Sequence, residues 1–257
     1  MLLALGLASL VQGPPDTRAG EPMRWSLVFS DEFDGARVDS RKWSIGNPLD
    51  GIINHELQAY VPEAVGLRAG ALLLTATRHP TVYRGASLPF RSGTVTTFGK
   101  FAFGYGRVEV RAKLPAGTGL WPAFWLLPES LNWPPEIDLF EVRGDAPGTL
   151  HQTLHWRDPE QGPRFDTARH LGPDLSAGFH VYRLDWRPDA ILWYLDGIES
   201  RRATRAIPAI PMYLNAALAV GGDFPGPPDE STPFPAMLEI DYVRVYRWGP
   251  DSPAISR

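Results

Sequence analysis

The sequence predicts an all-β fold in which two sheets pack face to face. Proline and glycine are abundant, at 26 and 25 of 257 residues, which suits many short strands joined by turns. No segment carries the apolar periodicity of a long amphipathic helix, whereas several alternate apolar and polar residues as half-buried strands do. A single sandwich can reach this length, so we expect one domain over residues 23–257.

The strand pattern recurs throughout this domain. It is clearest over residues 101–113, where Val108 and Val110 alternate with Glu109 and Arg111. The dipeptide Asp196-Gly197 is a strong signal for a hairpin turn. Strands are predicted over residues 25–29, 71–77, 101–113, 120–128, 135–141, 151–156, 181–186, 191–195, 212–220 and 238–246.

Residues 1–22 are predicted to be the remnant of a signal peptide followed by a linker. Residues 1–11 are mostly apolar but too few to span a bilayer, as are the other apolar runs. The net charge of −4 disfavours a nucleic-acid partner, and the absence of Cys excludes disulfides and Cys-ligated metals. We expect a secreted or periplasmic monomer that binds neither membrane nor nucleic acid.

Three carboxylates lie close together in the segment 136–141. In a regular strand Glu136 and Asp138 share one face, whereas Glu141 is an odd step away and would point into the core. Because a buried, unpaired carboxylate is costly, we predict a β-bulge near Leu139 and Phe140 that returns Glu141 to the acidic face. Two carboxyl groups about 5–5.5 Å apart are what retaining glycoside hydrolysis requires. The alternative is a solvated edge strand that merely carries charges.

Six segments, taken in chain order, resemble glycoside hydrolase family 16. They span roughly residues 25 to 248, and their order makes chance agreement improbable. They are residues 25–35, 54–60, 105–115, 121–128, 136–141 and 240–246.

The resemblance implies a β-jelly-roll sandwich of two stacked antiparallel sheets, with the substrate in a concave cleft. It implies that Glu136 is the nucleophile and Glu141 the general acid/base, with Asp138 between them tuning protonation. The bulged E-x-D-x-x-E spacing resembles that of laminarinases, agarases and carrageenases.

The resemblance also implies substrate contacts in the cleft. Asn54 could instead cap a turn, and His155 would face the cleft and hydrogen-bond near the acid/base, with a core histidine as its alternative. Aromatic rings suit sugars, since pyranose rings present apolar C–H faces. The implied substrate-binding residues are Asn54, Gln58, Trp121, Trp133 and His155.

A structural calcium ion is implied at Glu32, the Gly70 backbone and Asp241, because hard oxygen ligands suit Ca²⁺. Salt-bridged or capping carboxylates are the alternative. His151 and His155 have the spacing of zinc ligands on a helix, but their segment is a predicted strand, so no catalytic metal or cofactor is expected.

The function implied is retaining, endo-acting hydrolysis of β-1,3 or mixed-linkage β-1,3/1,4-glucan. One alternative keeps the chemistry and changes the substrate to a galactan such as agarose. Another is a non-catalytic β-glucan-binding module, which the presence of all three acids disfavours. Transglycosylation would use the same intermediate as hydrolysis.

Overall fold

The computed structural model describes residues 24–46 and 53–249, so the predicted leader over residues 1–22 lies outside the described residues. The one helical element among these residues is a short 3-10 helix, Pro62–Ala64. No helix in this part of the chain is long and apolar enough to cross a membrane. The strands are β1 (Arg24–Asp31), β2 (Ser44–Ile45), β3 (Gln58–Tyr60), β4 (Val65–Arg68), β5 (Ala71–Ala76), β6 (Thr81–Tyr83), β7 (Ala86–Leu88), β8 (Phe90–Ser92), β9 (Thr94–Thr96), β10 (Ala102–Phe103), β11 (Gly106–Lys113), β12 (Leu120–Pro128), β13 (Glu136–Val142), β14 (Thr149–Asp158), β15 (Gly162–Leu171), β16 (His180–Trp186), β17 (Ile191–Leu195), β18 (Ile198–Ala203), β19 (Met212–Val220) and β20 (Ala236–Gly249).

Two eight-stranded antiparallel sheets make up the jelly roll. Sheet A has the order β18-β17-β16-β11-β20-β5-β4, and β1 also pairs with β20. Sheet B has the order β15-β14-β13-β12-β19-β9-β2, and β10 also pairs with β19. The predicted all-β sandwich is confirmed.

The core lies between the two sheets and is apolar. Val108 and Val110 enter it from sheet A, and Phe124 and Leu218 enter it from sheet B; all four are fully buried. Burying each such side chain contributes about 1.5–3 kcal/mol, so this layer drives the two sheets together. It leaves the opposite face of sheet B available for a site.

One predicted strand is divided between the sheets. Over residues 101–113, β10 pairs with β19 in sheet B, whereas β11 pairs with β16 and β20 in sheet A. The chain turns between them at Gly104 and Tyr105, where Tyr105 adopts a φ of 49°. The single strand predicted there is therefore wrong, because alternation of side chains does not report a change of sheet.

Nine of the strands were missing from the sequence prediction, and the two longest of these are β15 and β18. β15 lies at one edge of sheet B and β18 at one edge of sheet A, and most of their side chains are at least partly exposed. Such strands carry little apolar alternation. The hairpin turn predicted at Asp196-Gly197 is confirmed, since it joins β17 to β18.

Candidate active site

A cleft lies on the face of sheet B that points away from the core. Alternate residues of the central strands line it, so the pleat separates them from the core residues between. Small side chains on β19 leave room above the sheet, and bulky ones on β12 form a wall. The sheet residues lining it are Thr94, Trp121, Ala123, Trp125, Glu136, Asp138, Glu141, Ala217 and Ala219.

The bulge predicted in the acidic segment is confirmed by the register of β12 and β13. Phe124 pairs with Phe140 and Trp125 pairs with Asp138, so Leu139 has no partner on β12. Leu139 and Phe140 are both fully buried, although they are consecutive. The extra residue therefore returns the next side chain, Glu141, to the cleft.

Each carboxyl group in the cleft has its own hydrogen-bond partner. Trp133 Nε1 donates to Glu136 Oε2 at 2.6 Å, and Trp121 Nε1 donates to Glu141 Oε1 at 3.1 Å. Thr153, on β14, donates to the other oxygen of Glu141 at 3.4 Å. Indole donors fix the two glutamates in orientation without adding a positive charge.

Asp138 is buried between the two glutamates and is held from both sides of the sheet. In the cleft, His155 Nε2 lies 3.2 Å from Asp138 Oδ2. From sheet A, Trp193 Nε1 donates to the backbone carbonyl of Asp138 at 2.8 Å. Arg201, which is only 7% exposed, stacks over the Trp193 ring at 4.7 Å, and its charge stabilises the Asp138 carboxylate. The core thus supports the bulge directly.

Burial and mutual repulsion raise the pKa of all three carboxyl groups. Burial, then the charge of Asp138, raises the pKa of Glu136 to about 8. Burial, then the charge of Glu136, raises the pKa of Glu141 to about 7. The pKa of Asp138 is also raised well above its usual range by burial and by the charge of Glu141. The three groups therefore cannot all be ionised at neutral pH, and the cleft retains transferable protons.

Aromatic rings flank the acids at both ends. Beside Glu136, the Trp133 ring lies 5.9 Å from His155, and His155 lies 5.7 Å from Phe165. Trp133 is 47% exposed and Phe165 is 68% exposed, so both present open faces to a ligand.

The Glu141 end has a matching group of rings. Trp121 and His151 each contact Phe224, at centroid distances of 5.3 and 4.9 Å. The cleft can therefore stack apolar faces of a long ligand on either side of the acids.

The predicted polar contacts are only partly in the cleft. Asn54 lines it and donates to Glu56 at 3.3 Å, with a φ of 51° that suits asparagine. Gln58 does not line it: this side chain is 4% exposed, donates to Glu56 at 2.6 Å and accepts from the Val220 N–H at 2.7 Å. The prediction of Gln58 as a sugar contact is thus corrected to a supporting role.

Two residues of the segment 54–60 line the cleft although they were not predicted as sugar contacts. Glu56 lines it and accepts hydrogen bonds from Asn54, Gln58 and Tyr60, while burial raises its pKa. The other is Tyr60, which also lines the cleft. The motif 54–60 contains both, but its spacing does not say which side chains face inward. His155 lies near the acid/base as predicted: it hydrogen-bonds to Asp138 and also acts electrostatically on Glu141.

The residues implied for calcium are engaged with arginines. Glu32 forms a two-pronged ion pair with Arg244 at 2.7 and 2.9 Å, and Asp241 pairs with Arg111 at 2.6 Å. Gly70 lies beside the Asp34 carboxylate. These ion pairs are the salt-bridged alternative stated for Glu32 and Asp241, and they occupy the anionic oxygens that Ca²⁺ needs. Calcium binding there stays a prediction.

Within the described residues, the metal-capable cluster is Glu136, Asp138 and His155, whose ligating atoms all lie within 4.8 Å of one another. Hydrogen bonding among these groups accounts for their proximity.

Comparisons with known proteins agree with this geometry. Residues 60–244 match the model of the glycosyl hydrolases family 16. The chain is 36% identical to a beta-glucanase of Rhodothermus marinus over 90% of this chain and 88% of that protein. It is 34% identical to an endo-1,3-1,4-beta-glycanase of Rhizobium meliloti over 85% of this chain but only 51% of that longer protein.

Solved structures agree with the fold. The X-ray structure of the endo-beta-1,3-glucanase from Pyrococcus furiosus superposes with a TM-score of 0.78 at 34% identity, covering 88% of this chain and 96% of that one. The match to the family model extends over well more than half of the chain and includes the acidic strand. The chain therefore belongs to glycoside hydrolase family 16.

Proposed function

We propose that this protein is a retaining, endo-acting hydrolase of β-1,3 or mixed-linkage β-1,3/1,4-glucan. The observation that carries the proposal is the bulge at Leu139, because it leaves Glu136, Asp138 and Glu141 on one open face. The relatives support the substrate class, since those compared above are glucanases or glycanases by name. Aromatic rings at both ends of the cleft suit a chain that extends past the cleaved bond on both sides.

The first step forms a covalent glycosyl ester. The Glu136 carboxylate attacks the anomeric carbon, while Glu141 gives its proton to the glycosidic oxygen as the C–O bond breaks. The leaving chain departs as a neutral alcohol. An ionised Glu136 also raises the pKa of Glu141, so the charge on the nucleophile keeps the acid protonated.

Asp138 determines whether the negative charge of the Glu136–Asp138 pair lies on the nucleophile, Glu136. Its carboxyl group shares a hydrogen bond with Glu136, and its pKa is well above the usual range for aspartate. When Asp138 keeps the shared proton, the repulsion that raises the pKa of Glu136 disappears. The pKa of Glu136 then falls, and the ionised Glu136 accepts hydrogen bonds from Asp138 and Trp133. This state is the one that can attack.

The second step reverses the roles of the glutamates. Once Glu136 is esterified it carries no charge, so the pKa of Glu141 falls and Glu141 can act as a base. It takes a proton from water, which attacks the anomeric carbon and releases Glu136. Two inversions at the same carbon give overall retention. A sugar hydroxyl in place of water would give transglycosylation.

The proposed substrate class is tested by incubating the purified protein with laminarin, barley β-glucan, lichenan and agarose. We expect oligosaccharide products of several sizes from the glucans, because an endo-acting cleft cuts within the chain. Activity on agarose alone would show that the substrate is a galactan and not a glucan. Binding of glucan without release of any product would favour a non-catalytic module.

The role proposed for Asp138 is tested by Asp138→Asn. Asparagine keeps a donor, but its N–H donates a weaker hydrogen bond to the Glu136 carboxylate than a carboxyl O–H does, and it cannot exchange the shared proton. Since hydrogen bonds to charged groups contribute about 1.5–3 kcal/mol, kcat should fall about 10- to 100-fold. Since asparagine mimics the protonated aspartate, the Tm should not fall. Asp174→Asn, in an exposed turn, is the matched control and should leave kcat unchanged. Wild-type kinetics for Asp138→Asn would refute the role.

Export from the cytoplasm and a monomeric state also remain predictions. Both concern the whole chain, including residues 1–22, and are checked by fractionating cells and by light scattering of the purified protein.

A further inference from the structure

A second cavity, of about 520 Å³, lies at one end of sheet A. It shares no lining residue with the catalytic cleft. The start of β1, the end of β20 and the turn after β16 surround it. Its volume is in the range of about 300–1,000 Å³ that is usual for ligand pockets. The reaction proposed above makes no use of it.

Two tryptophans form an aromatic wall of this cavity. Trp25 and Trp248 are cross-strand partners of β1 and β20, with ring centroids 5.2 Å apart and planes inclined at 58°. Trp248 is 51% exposed, although covering a tryptophan is strongly favourable. Such inclined rings present two apolar faces to one ligand.

The wall is held in place by charged residues behind it. The Arg107 guanidinium lies over the Trp25 ring at 4.4 Å. Arg107 is itself fixed by two hydrogen bonds to the buried Asp185, at 2.7 and 2.8 Å. Trp25 is therefore already ordered, so ligand binding loses little free energy to fixing its side chain.

The opposite side of the cavity has a constrained backbone. Tyr105 lines it with a φ of 49°, a conformation that residues other than glycine seldom adopt. At the next residue, Gly106, a Cβ would lie 2.5 Å from the Tyr246 carbonyl oxygen. The backbone on this side of the cavity is therefore closely packed and fixed in shape.

Exposed groups of both signs lie at the rim. Arg187 and Asp189 line the cavity and are both exposed. Arg187 Nη2 also lies 3.5 Å from the buried Asp185 carboxylate, while Asp189 would repel an anionic ligand. A neutral ligand with apolar faces and hydroxyl edges fits both the rings and the rim, and a saccharide has that chemistry.

We propose that this cavity is a non-catalytic binding site for a β-glucan chain. The proposal rests on the proposed function, from which it takes the identity of the sugar. A polymer held here stays at high effective concentration near the cleft, so the site should favour long substrates over short ones. A short oligosaccharide gains no such advantage.

The first experiment measures stoichiometry by calorimetry with a short β-1,3-gluco-oligosaccharide. In a Glu136→Gln background, which prevents turnover, we expect two oligosaccharides per chain. Adding Trp248→Ala should reduce this number to one. Arg187→Ala provides a second test and should also give one: it removes an exposed side chain, and Asp185 keeps its two shorter hydrogen bonds from Arg107. Ile198→Ala, at a residue 69% exposed and outside both cavities, is the control and should retain two.

The second experiment compares kcat/KM on polymeric and short substrates. Their ratio should fall about five-fold in Trp248→Ala and Arg187→Ala and stay constant in Ile198→Ala. A stoichiometry of one in the Glu136→Gln parent, or an unchanged ratio, would overturn the second site. Failure of the wild-type protein to cleave any glucan would instead overturn the proposed function.

Discussion

Replacing Glu136 by glutamine is expected to reduce turnover of β-glucan by at least about 10³-fold, because an amide cannot form the glycosyl ester. Oligosaccharide binding should persist, since the aromatic rings that flank the cleft are unaffected. The measurements are reducing-sugar release for turnover and calorimetry for binding. Glu129→Gln, at an exposed residue at the end of the wall strand β12, is the matched control and should be fully active.

The stereochemistry of a rescued reaction tests the same assignment more sharply. In Glu136→Ala, azide can enter the space left by the carboxylate and attack an aryl β-glycoside from that side. One inversion would give the α-glycosyl azide, whereas the wild-type enzyme retains the β configuration through two. A β-azide product would show that a residue other than Glu136 is the nucleophile.

The substitution Glu136→Gln should also change the stability of the protein, in a direction set by the pKa of Glu136. That pKa is about 8 in the folded protein, above the ordinary value of about 4.3. The folded state therefore binds this proton more tightly, and stability is lost as the pH rises from about 4 to 8. Glutamine mimics the protonated form, so the Tm advantage of Glu136→Gln should be larger at pH 8 than at pH 5.

The acidic strand shows how far sequence reasoning can reach. The odd step to Glu141 conflicts with a regular pleat, and the cost of burying a carboxylate resolves the conflict in favour of a bulge. The register confirms the bulge and identifies Leu139 as the residue without a partner. Phe140, the other residue near which the bulge was predicted, pairs with Phe124. The cost of burying a carboxylate could thus predict that a bulge exists, but not which residue in it lacks a partner on the neighbouring strand.

Contacts between distant segments were beyond such reasoning. Gln58 belongs to a matching motif, yet its amide is used by Glu56 and by the backbone of Val220, which is far away in sequence. Likewise, nothing local to Trp193 indicates that its indole supports the Asp138 carbonyl from the other sheet. Motif spacing identifies which residues matter, whereas only the packing of the sheets determines what each one touches.

Replacing Glu141 by glutamine should give an effect that depends on the leaving group. General acid catalysis contributes about 10²- to 10⁴-fold, so kcat/KM on a natural glucan should fall by that amount. An aryl glycoside whose phenol leaves without protonation should lose far less in the same step. A variant of the nucleophile, such as Glu136→Gln, slows the cleavage of both substrates alike. The ratio of the loss in kcat/KM on the glucan to the loss on the aryl glycoside therefore distinguishes the two glutamates.

The pH dependence completes this test. Burial and the charge of Glu136 raise the pKa of Glu141 to about 7, so kcat/KM of the wild-type enzyme should decline on the alkaline side of its optimum as the acid loses its proton. In Glu141→Gln this alkaline decline should vanish, because no proton remains to be lost, while the decline at acid pH from protonation of Glu136 should remain. An alkaline limb that persists unchanged in Glu141→Gln would assign the proton donor to another group, and equal losses on both substrates would do the same.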